Sequence, residues 1–305
     1  MLNTPSSMNS VQFCPLSRLE KLLVATDGSL FSEGAVREAI SFAKKCSSML
    51  YLMSAVPRYE ISGTNVFEKE EEEAREHLHS VKERALQEGL NCETVLVHGD
   101  EPHRLIVDAA VARGVDMIVI GRRGRRGLTK ILMGSVAAKV ICHAPCKVLV
   151  VPKAARIECR NILVATDGSR HSHAAASEAI EIAKRCGSNI IAVSAVCSEA
   201  DRGEAMANAN EVREAAKKEG IPVEALIPAG RPCDVVVGMA CDRSVDLIIM
   251  GTYGKTGIKE LLMGSSTEKI IGNAGCAMLV VKSGKYMTSV EDTQRNCRDL
   301  SLVHR

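Results

Sequence analysis

The sequence predicts two tandem doubly wound α/β domains, each a five-stranded parallel sheet with helices on both faces. Three observations predict it. The string VATDGS occurs twice, at Val24–Ser29 and Val164–Ser169, an offset of 140. A second pattern, Gly121-Arg122-Arg123-Gly124 through Gly134-Ser135, returns as Gly251-Thr252-Tyr253-Gly254 through Gly264-Ser265, an offset of 130. Between these anchors short apolar runs alternate with segments of helical period, as strands joined by helical crossovers do. The length of 305 residues accommodates about two domains of roughly 100–200 residues each. The repeats delimit domains at 19–152 and 159–282, with polar, poorly patterned tails at 1–18 and 283–305 that are expected to be loosely ordered.

Each element of the first copy has its own signal. Lys21–Thr26 is a largely apolar run suited to a buried parallel strand. Val36, Ala39, Ile40, Ala43 and Cys46 fall at helical spacing, and Ala176, Ala179, Ile180, Ala183 and Cys186 repeat them in the second copy. Leu50–Val56 reads as the second strand, and a helix over Glu68–Glu88 stops at Gly89. The acidic run Glu68 to Glu73 opens that helix, where negative charge suits the dipole, and reads as a solvated face. Thr94–His98 is the third strand, and Pro102 stands in the first turn of a helix over Pro102–Arg113. Met117–Ile120 is a fully apolar fourth strand; a glycine loop, a short helix Val136–Cys142 and a last strand Lys147–Val151 follow. The second copy repeats this order and closes with Ala277–Val281. It is shorter by ten residues between the anchors, a difference expected after the second strand, where Pro57–Phe67 has little counterpart beyond Val196.

Composition narrows the function. A hydrophobic content of 46% and a charged content of 25% place the chain among globular proteins rather than disordered ones. A net charge of +2 gives no electrostatic case for nucleic acid or an anionic membrane. Trp is absent and aromatics are 3%, which leaves little for base stacking. The first residues lack a basic stretch followed by an apolar one, and no apolar run approaches the ~18–20 residues of a membrane span. A cytoplasmic location is expected, and with it reduced thiols for the twelve cysteines. Cys142-His143-Ala144-Pro145-Cys146 has the look of a metal cluster but lacks a second Cys/His pair, so no protein metal site is expected.

The repeated motifs fall at the ends of strands one and four, and doubly wound sheets bind ligands at the carboxyl ends of strands near the switch in strand order. Gly121 and Gly124 bracket a turn where a side chain would block close backbone approach. Nine residues on, Gly134-Ser135 opens a helix, presenting free N–H groups, the positive end of the dipole and one hydroxyl. That is an anion site, and the same spacing in both copies argues against a mere turn. The order is neither G-x-x-x-x-G-K-[ST] nor G-x-G-x-x-G, which excludes a Walker A loop and removes the case for a dinucleotide dehydrogenase. Asp27 and Asp167 end strand one. Such a carboxylate can accept ribose hydroxyls or help hold a metal such as Mg2+ beside phosphates. The alternative is that each caps the turn formed with Gly28-Ser29 or Gly168-Ser169. His171 and His173 open the helix after Asp167 and read as exposed helix-start residues rather than ligand contacts.

The pattern G-x-x-G, nine residues, then G-S resembles the nucleotide motif of the universal stress protein family, in its ATP-binding subgroup. The two VATDGS strings, Gly99-Asp100-Glu101-Pro102, DMIVIG in strand four and the closing APCKVLVVP resemble it too, and the likeness covers about 19–152 and 159–282. The resemblance implies an adenine nucleotide alpha hydrolase-like fold. It also implies backbone at the ends of strands two and four gripping adenine, an Asp on the ribose, and the glycine loop on phosphates. Carried onto the first copy, it points to Ala25, Asp27, Ala55, Ile120, Gly121, Arg123, Gly124, Gly134, Ser135 and Val136. In the second it points to Ala165, Asp167, Ala195, Met250, Gly251, Tyr253, Gly254, Gly264, Ser265 and Ser266. Two departures stand out: Ala25 and Ala165 occupy a place where the family often has Pro, and Ser266 one where an apolar residue is usual.

The resemblance implies an adenine-nucleotide-binding stress-response regulator or sensor with one ATP, ADP or AMP site in each domain. The alternative is a slow ATPase or phosphotransferase using the same sites, and a third class is a scaffold without nucleotide. No residue is marked as a base for activating water and no carboxylate cluster implies two metals, so no catalytic residue is assigned. Arg122, Arg123, Arg125 and Arg126 crowd the first loop, against Thr252, Tyr253, Lys255 and Thr256 in the second. This difference leads us to expect a triphosphate preference in copy one and tolerance of AMP or ADP in copy two. The family's habit of dimerising through its last strands implies an internal pseudo-dimer along Val148–Val151 and Met278–Val281, with a homodimer of chains as a further step.

Overall fold

The computed structural model describes residues 19–58, 66–125, 133–254 and 263–283. The tails, apart from Ser283, and the expectations attached to Arg126, Lys255 and Thr256 lie outside the described residues.

The first half runs β1 (Lys21–Ala25), α1 (Glu33–Cys46), β2 (Met49–Val56), α2 (Val66–Gln87), β3 (Cys92–His98), α3 (Pro102–Arg113), β4 (Met117–Gly121), α4 (Ser135–His143) and β5 (Lys147–Val151). The second runs β6 (Asn161–Ala165), α5 (Arg170–Cys186), β7 (Asn189–Val193), a 3-10 turn over Glu199–Asp201, α6 (Arg202–Lys218), β8 (Val223–Leu226), α7 (Pro232–Asp242), β9 (Leu247–Gly251), α8 (Ser265–Asn273) and β10 (Ala277–Val281). Helix ends follow local chemistry. Left-handed residues close α1 at Ser47, α3 at Gly114 and α5 at Gly187, while Pro stands in the first turn of α3 and α7. The shortening of the second copy shows after β7, where a single bridge from Val196 to Ala229 and the 3-10 turn lead into an α6 of 17 residues, against 22 in α2.

All ten strands form one sheet, ordered β3-β2-β1-β4-β5-β10-β9-β6-β7-β8. Every pairing is parallel except the central one, where β5 and β10 run antiparallel with Leu149 opposite Leu279. The two last strands therefore pair as expected, and neither is left as an exposed apolar edge. Alternation divides the core between the two faces. Leu22 and Val24 pack with α1, α2, α5 and α6 on one face; Leu23 and Ala25 pack with α3, α4, α7 and α8 on the other. Each apolar layer crosses the β5–β10 seam, so the halves share both cores.

Polar contacts also span the seam. Lys147 and Glu178 form an ion pair at 2.6 Å, with each side chain only 9% exposed. The connector between β5 and β6 is fixed from both halves: Arg37 of α1 donates to the Ala155 carbonyl, Ile157 N–H donates to Glu38, and Cys159 N–H donates to Asp246 at 2.8 Å. Nine described cysteines carry free thiols. Cys46 is disulfide-bonded, which corrects the expectation of reduced thiols at that position.

Candidate functional site

In each half the strand order turns between the first and fourth strands, so the crevice at their carboxyl ends is the switch point. A cavity of about 510 Å3 opens there in the first half. Its floor is the ends of β1, β2 and β4, contributed by Ala25, Ala55, Ile120 and Gly121. Asp27 stands at one wall, and Arg123, Gly124, Gly134, Ser135 and Val136 line the loop and first turn of α4. All ten residues named for this half line one space. Sequence reasoning missed several neighbours: Met53 and Ser54 in β2, Glu70 and Ala74 in α2, Ile106 in α3, and Glu268, which arrives from the second half.

The Asp27 carboxylate is held by its own chain. Oδ1 accepts from Ser29 N–H at 3.1 Å and from Ser29 Oγ at 2.7 Å; Oδ2 accepts from the Arg125 N–H. Burial alone would raise its pKa, but these hydrogen bonds together hold the carboxyl below its ordinary value. The turn-capping reading is thus realised, and the carboxylate still faces the cavity. Behind it, Thr26 Oγ1 bonds His77 Nε2 at 2.9 Å and Ser32 Oγ at 3.0 Å. Burial pushes His77 below the ordinary imidazole value, against the pull of Glu33 and Asp27.

Close approach explains two of the three motif glycines. A Cβ on Gly121 would lie 2.8 Å from the Phe31 carbonyl oxygen, and one on Gly124 would lie 2.7 Å from Asp27 Oδ2. The second half repeats both constraints, at Gly251 against His171 (2.7 Å) and Gly254 against Asp167 Oδ2 (2.5 Å). Gly134 and Gly264 differ: a Cβ on either meets nothing nearer than 3.5 Å. Each is the residue just before a helix, in an extended conformation. The chain's own packing does not require glycine there, and its absence of side chain keeps the helix N-terminus open. Gly134 N–H is bonded back to the Arg122 carbonyl at 2.9 Å, and Gly264 N–H to the Thr252 carbonyl at 3.2 Å. The first-turn amides beyond them belong to the unsatisfied start of the helix.

The arginines of the first loop divide. Arg123 and Arg125 line the cavity, and Arg125 also pairs with Glu73 at 3.0 Å. Arg122 turns away: its guanidinium, half-buried, donates to the Ala274 carbonyl at 2.7 Å, at the end of α8 in the other half. Lys282, just past β10, does the converse, donating to the Cys142 and Ala144 carbonyls at the end of α4 at 2.7 and 2.8 Å. Each half so places a cation on the negative end of the other's helix dipole.

In the second half the ten named residues occupy the matching places. Ala165 and Met250 pair across β6 and β9 as Ala25 and Ile120 pair across β1 and β4. Ala195 follows β7, and Gly251 ends β9. Gly264 precedes α8, and Ser265 and Ser266 stand in its first turn. Asp167 Oδ1 accepts from Ser169 N–H at 3.0 Å, and Ser169 Oγ accepts from Ser172 N–H at 3.2 Å, capping α5. Tyr253 stands where the first half has Arg123; its ring is buried, edge-on to His171 with centroids 5.5 Å apart. His171 is therefore not the exposed helix-start residue expected. It is 9% exposed, and its Nδ1 accepts from the Ser283 N–H at 2.9 Å. His173 is exposed and faces Glu211 at 3.3 Å. Among the described residues no group of three or more His, Cys, Asp or Glu could hold a metal ion, and no helix is long and apolar enough to cross a membrane.

A duplicated doubly wound sheet with a strand-end Asp and an open helix N-terminus in each half defines a class of tandem α/β proteins built on one repeated unit. The sequence profile described as the universal stress protein family matches residues 18–152 and 158–282, and the chain belongs to that family. A universal stress protein of Methanocaldococcus jannaschii is 34% identical over 142 residues, covering 41% of this chain and 84% of that protein. One from Mycolicibacterium smegmatis is 26% identical over 288 residues, covering 86% of this chain and 96% of its own length. Among solved structures, a universal stress protein from Archaeoglobus fulgidus superposes with a TM-score of 0.73, covering 88% of this chain and all of its own at 23% identity, a likeness of fold.

Proposed function

We propose that each half binds an adenine nucleotide at its switch point and that the protein acts as a nucleotide-dependent stress regulator or sensor. The observation that carries this reading is the convergence of all ten first-half residues on one cavity. The cavity fits the ligand class. Its volume of about 510 Å3 lies within the roughly 300–1,000 Å3 usual for small-molecule sites, and its wall joins an apolar floor to a helix N-terminus and two arginines. Adenine would lie on Ala55 and Ile120, ribose near Asp27, and phosphates over Gly124, Gly134, Ser135 and Val136 with Arg123 beside them. In the second half Ala165, Asp167, Ala195, Met250, Gly251, Tyr253, Gly254, Gly264, Ser265 and Ser266 would take the same parts. Mg2+ would bind with the phosphates rather than in a protein cage.

The sites are unequal in this reading. Arg123 and Arg125 favour a triphosphate in the first half, and Tyr253, buried and uncharged, favours AMP or ADP in the second. Mass spectrometry of nucleotide released from the denatured protein is expected to give adenine nucleotides. No bound nucleotide, together with no calorimetric heat on adding ATP or AMP, would overturn the proposal. Calorimetry on Gly134→Asp and Gly264→Asp separates the sites, and an equal ATP-over-AMP preference at both would remove the inequality.

A further inference from the structure

The acidic run that opens α2 is more than a solvated face. Glu70 and Ala74, about one helical turn apart, line the first-half cavity. Glu71 turns to Arg75 at 2.5 Å and to His98 at 3.2 Å. Glu73 turns to the glycine loop, where its carboxylate holds the Arg125 guanidinium at 3.0 Å. Arg125 directly follows Gly124 and is fixed at its backbone, the N–H donating to Asp27 Oδ2. From there its guanidinium passes over the turn after β1, so that a Cβ on Gly28 would lie 3.4 Å from Nη2. Arg125 thus bridges the motif loop and α2 at the cavity wall.

A guanidinium fork meets a carboxylate and a phosphate with the same geometry. Glu73 therefore occupies a donor of Arg125 that a phosphate could use. The pair is held loosely enough to exchange. Its side chains are 43% and 49% exposed, and ion pairs so open to water are weak. A terminal phosphate carries more charge than one carboxylate, and Arg123 and the start of α4 line the same space. The length of the phosphate chain then decides which nucleotide competes. The single phosphate of AMP can be met by the α4 N-terminus, whereas ATP brings further charge that needs a cation.

We propose, resting on the reading that the first half binds a nucleotide, that Glu73 is an internal stand-in for the terminal phosphate of ATP. It holds Arg125 in the absence of a triphosphate and gives it up when one binds. The exchange trades one ion pair for another, so Glu73 lowers affinity for ATP and spares AMP. It also leaves the first turns of α2 without the Arg125 cation, so the charge of that surface reports which nucleotide is bound.

The test uses the full chain carrying Gly264→Asp, so that the first site alone titrates, and calorimetry with ATP and with AMP. Glu73→Gln should raise ATP affinity about threefold and leave AMP affinity unchanged. Glu72→Gln removes the same charge from the neighbouring exposed position and should change neither. Arg125→Gln should weaken ATP binding, and adding Glu73→Gln to it should change nothing further, as a shared contact requires. An equal gain for AMP, an equal gain from Glu72→Gln, or an undiminished gain in the Arg125→Gln background would overturn the proposal, as would unchanged ATP affinity in Glu73→Gln. Absence of any nucleotide binding to the Gly264→Asp chain is a different outcome: it removes the first-half nucleotide site itself, and this exchange with it. Thermal melts check that each variant is folded, and the Arg125 and Glu73 variants each give a separate route to the answer.

Discussion

Gly134 and Gly124 sit in one motif yet answer to different constraints. A Cβ at Gly134 has room, and Asp is a favourable residue at that position before a helix. Gly134→Asp should therefore keep or slightly raise the melting temperature while weakening ATP binding in the first half at least about tenfold, because it sets a carboxylate where phosphate would lie. Gly124→Ala should do the reverse to the fold, costing about 1–3 kcal/mol as its methyl meets the Asp27 carboxylate 2.7 Å away. Calorimetry and thermal melts on the two variants check both statements. His77 adds a pH dependence. Its folded pKa lies below the ordinary value because of burial. Its contribution to stability is then complete above the unfolded value of about 6.5 and is lost as pH falls below that toward the folded pKa. Melting temperatures between pH 7.5 and 5.5 should fall more steeply for the natural chain than for His77→Gln; equal slopes would remove His77 from the account.

At the scale of elements, α4 and α8 each end on a cation from the opposite half. Lys282→Met keeps the stem of the side chain and removes the ammonium from two carbonyls at the end of α4. Burial already pushes that ammonium below its ordinary pKa, so the charge is held at a desolvation cost and its loss should be modest. A decrease of about 1–2 kcal/mol in urea denaturation is expected, and a similar one for Arg122→Met. These contacts also mark where the sequence was readable. The strands and the motif spacing were legible because they rest on local period and on repetition, and the last-strand pairing followed from the family resemblance. Arg122 read as part of a phosphate grip because its neighbours in sequence are arginines, and its true partner, Ala274, lies across the seam. Glu268 was invisible for the same reason, since no pattern within one copy says which side chain of the other will reach its cavity. His171 sits where a helix begins, and the packing of Gly251, Tyr253 and Ser283 around it makes that place buried.

For the molecule as a whole, the seam determines how it unfolds. Both apolar layers cross it and the Lys147–Glu178 pair lies within it, nearly without solvent. Thermal unfolding is expected to be one transition with matching calorimetric and van't Hoff enthalpies. Glu178→Gln, which takes from Lys147 that carboxylate, should cost about 3 kcal/mol or more; two separate transitions in the natural chain would show instead that the halves fold independently. The antiparallel pairing of β5 with β10 has a geometric result as well. It turns the carboxyl ends of the two strand sets toward opposite edges of the sheet, so the crevices open away from each other. A dimer of identical subunits joined this way must present the same opening on both sides and must reassemble after every dilution. Here the two openings are encoded separately in one polypeptide, so substitutions can make one edge unlike the other with no symmetric pairing to compete against. The molecule has, in effect, a front and a back.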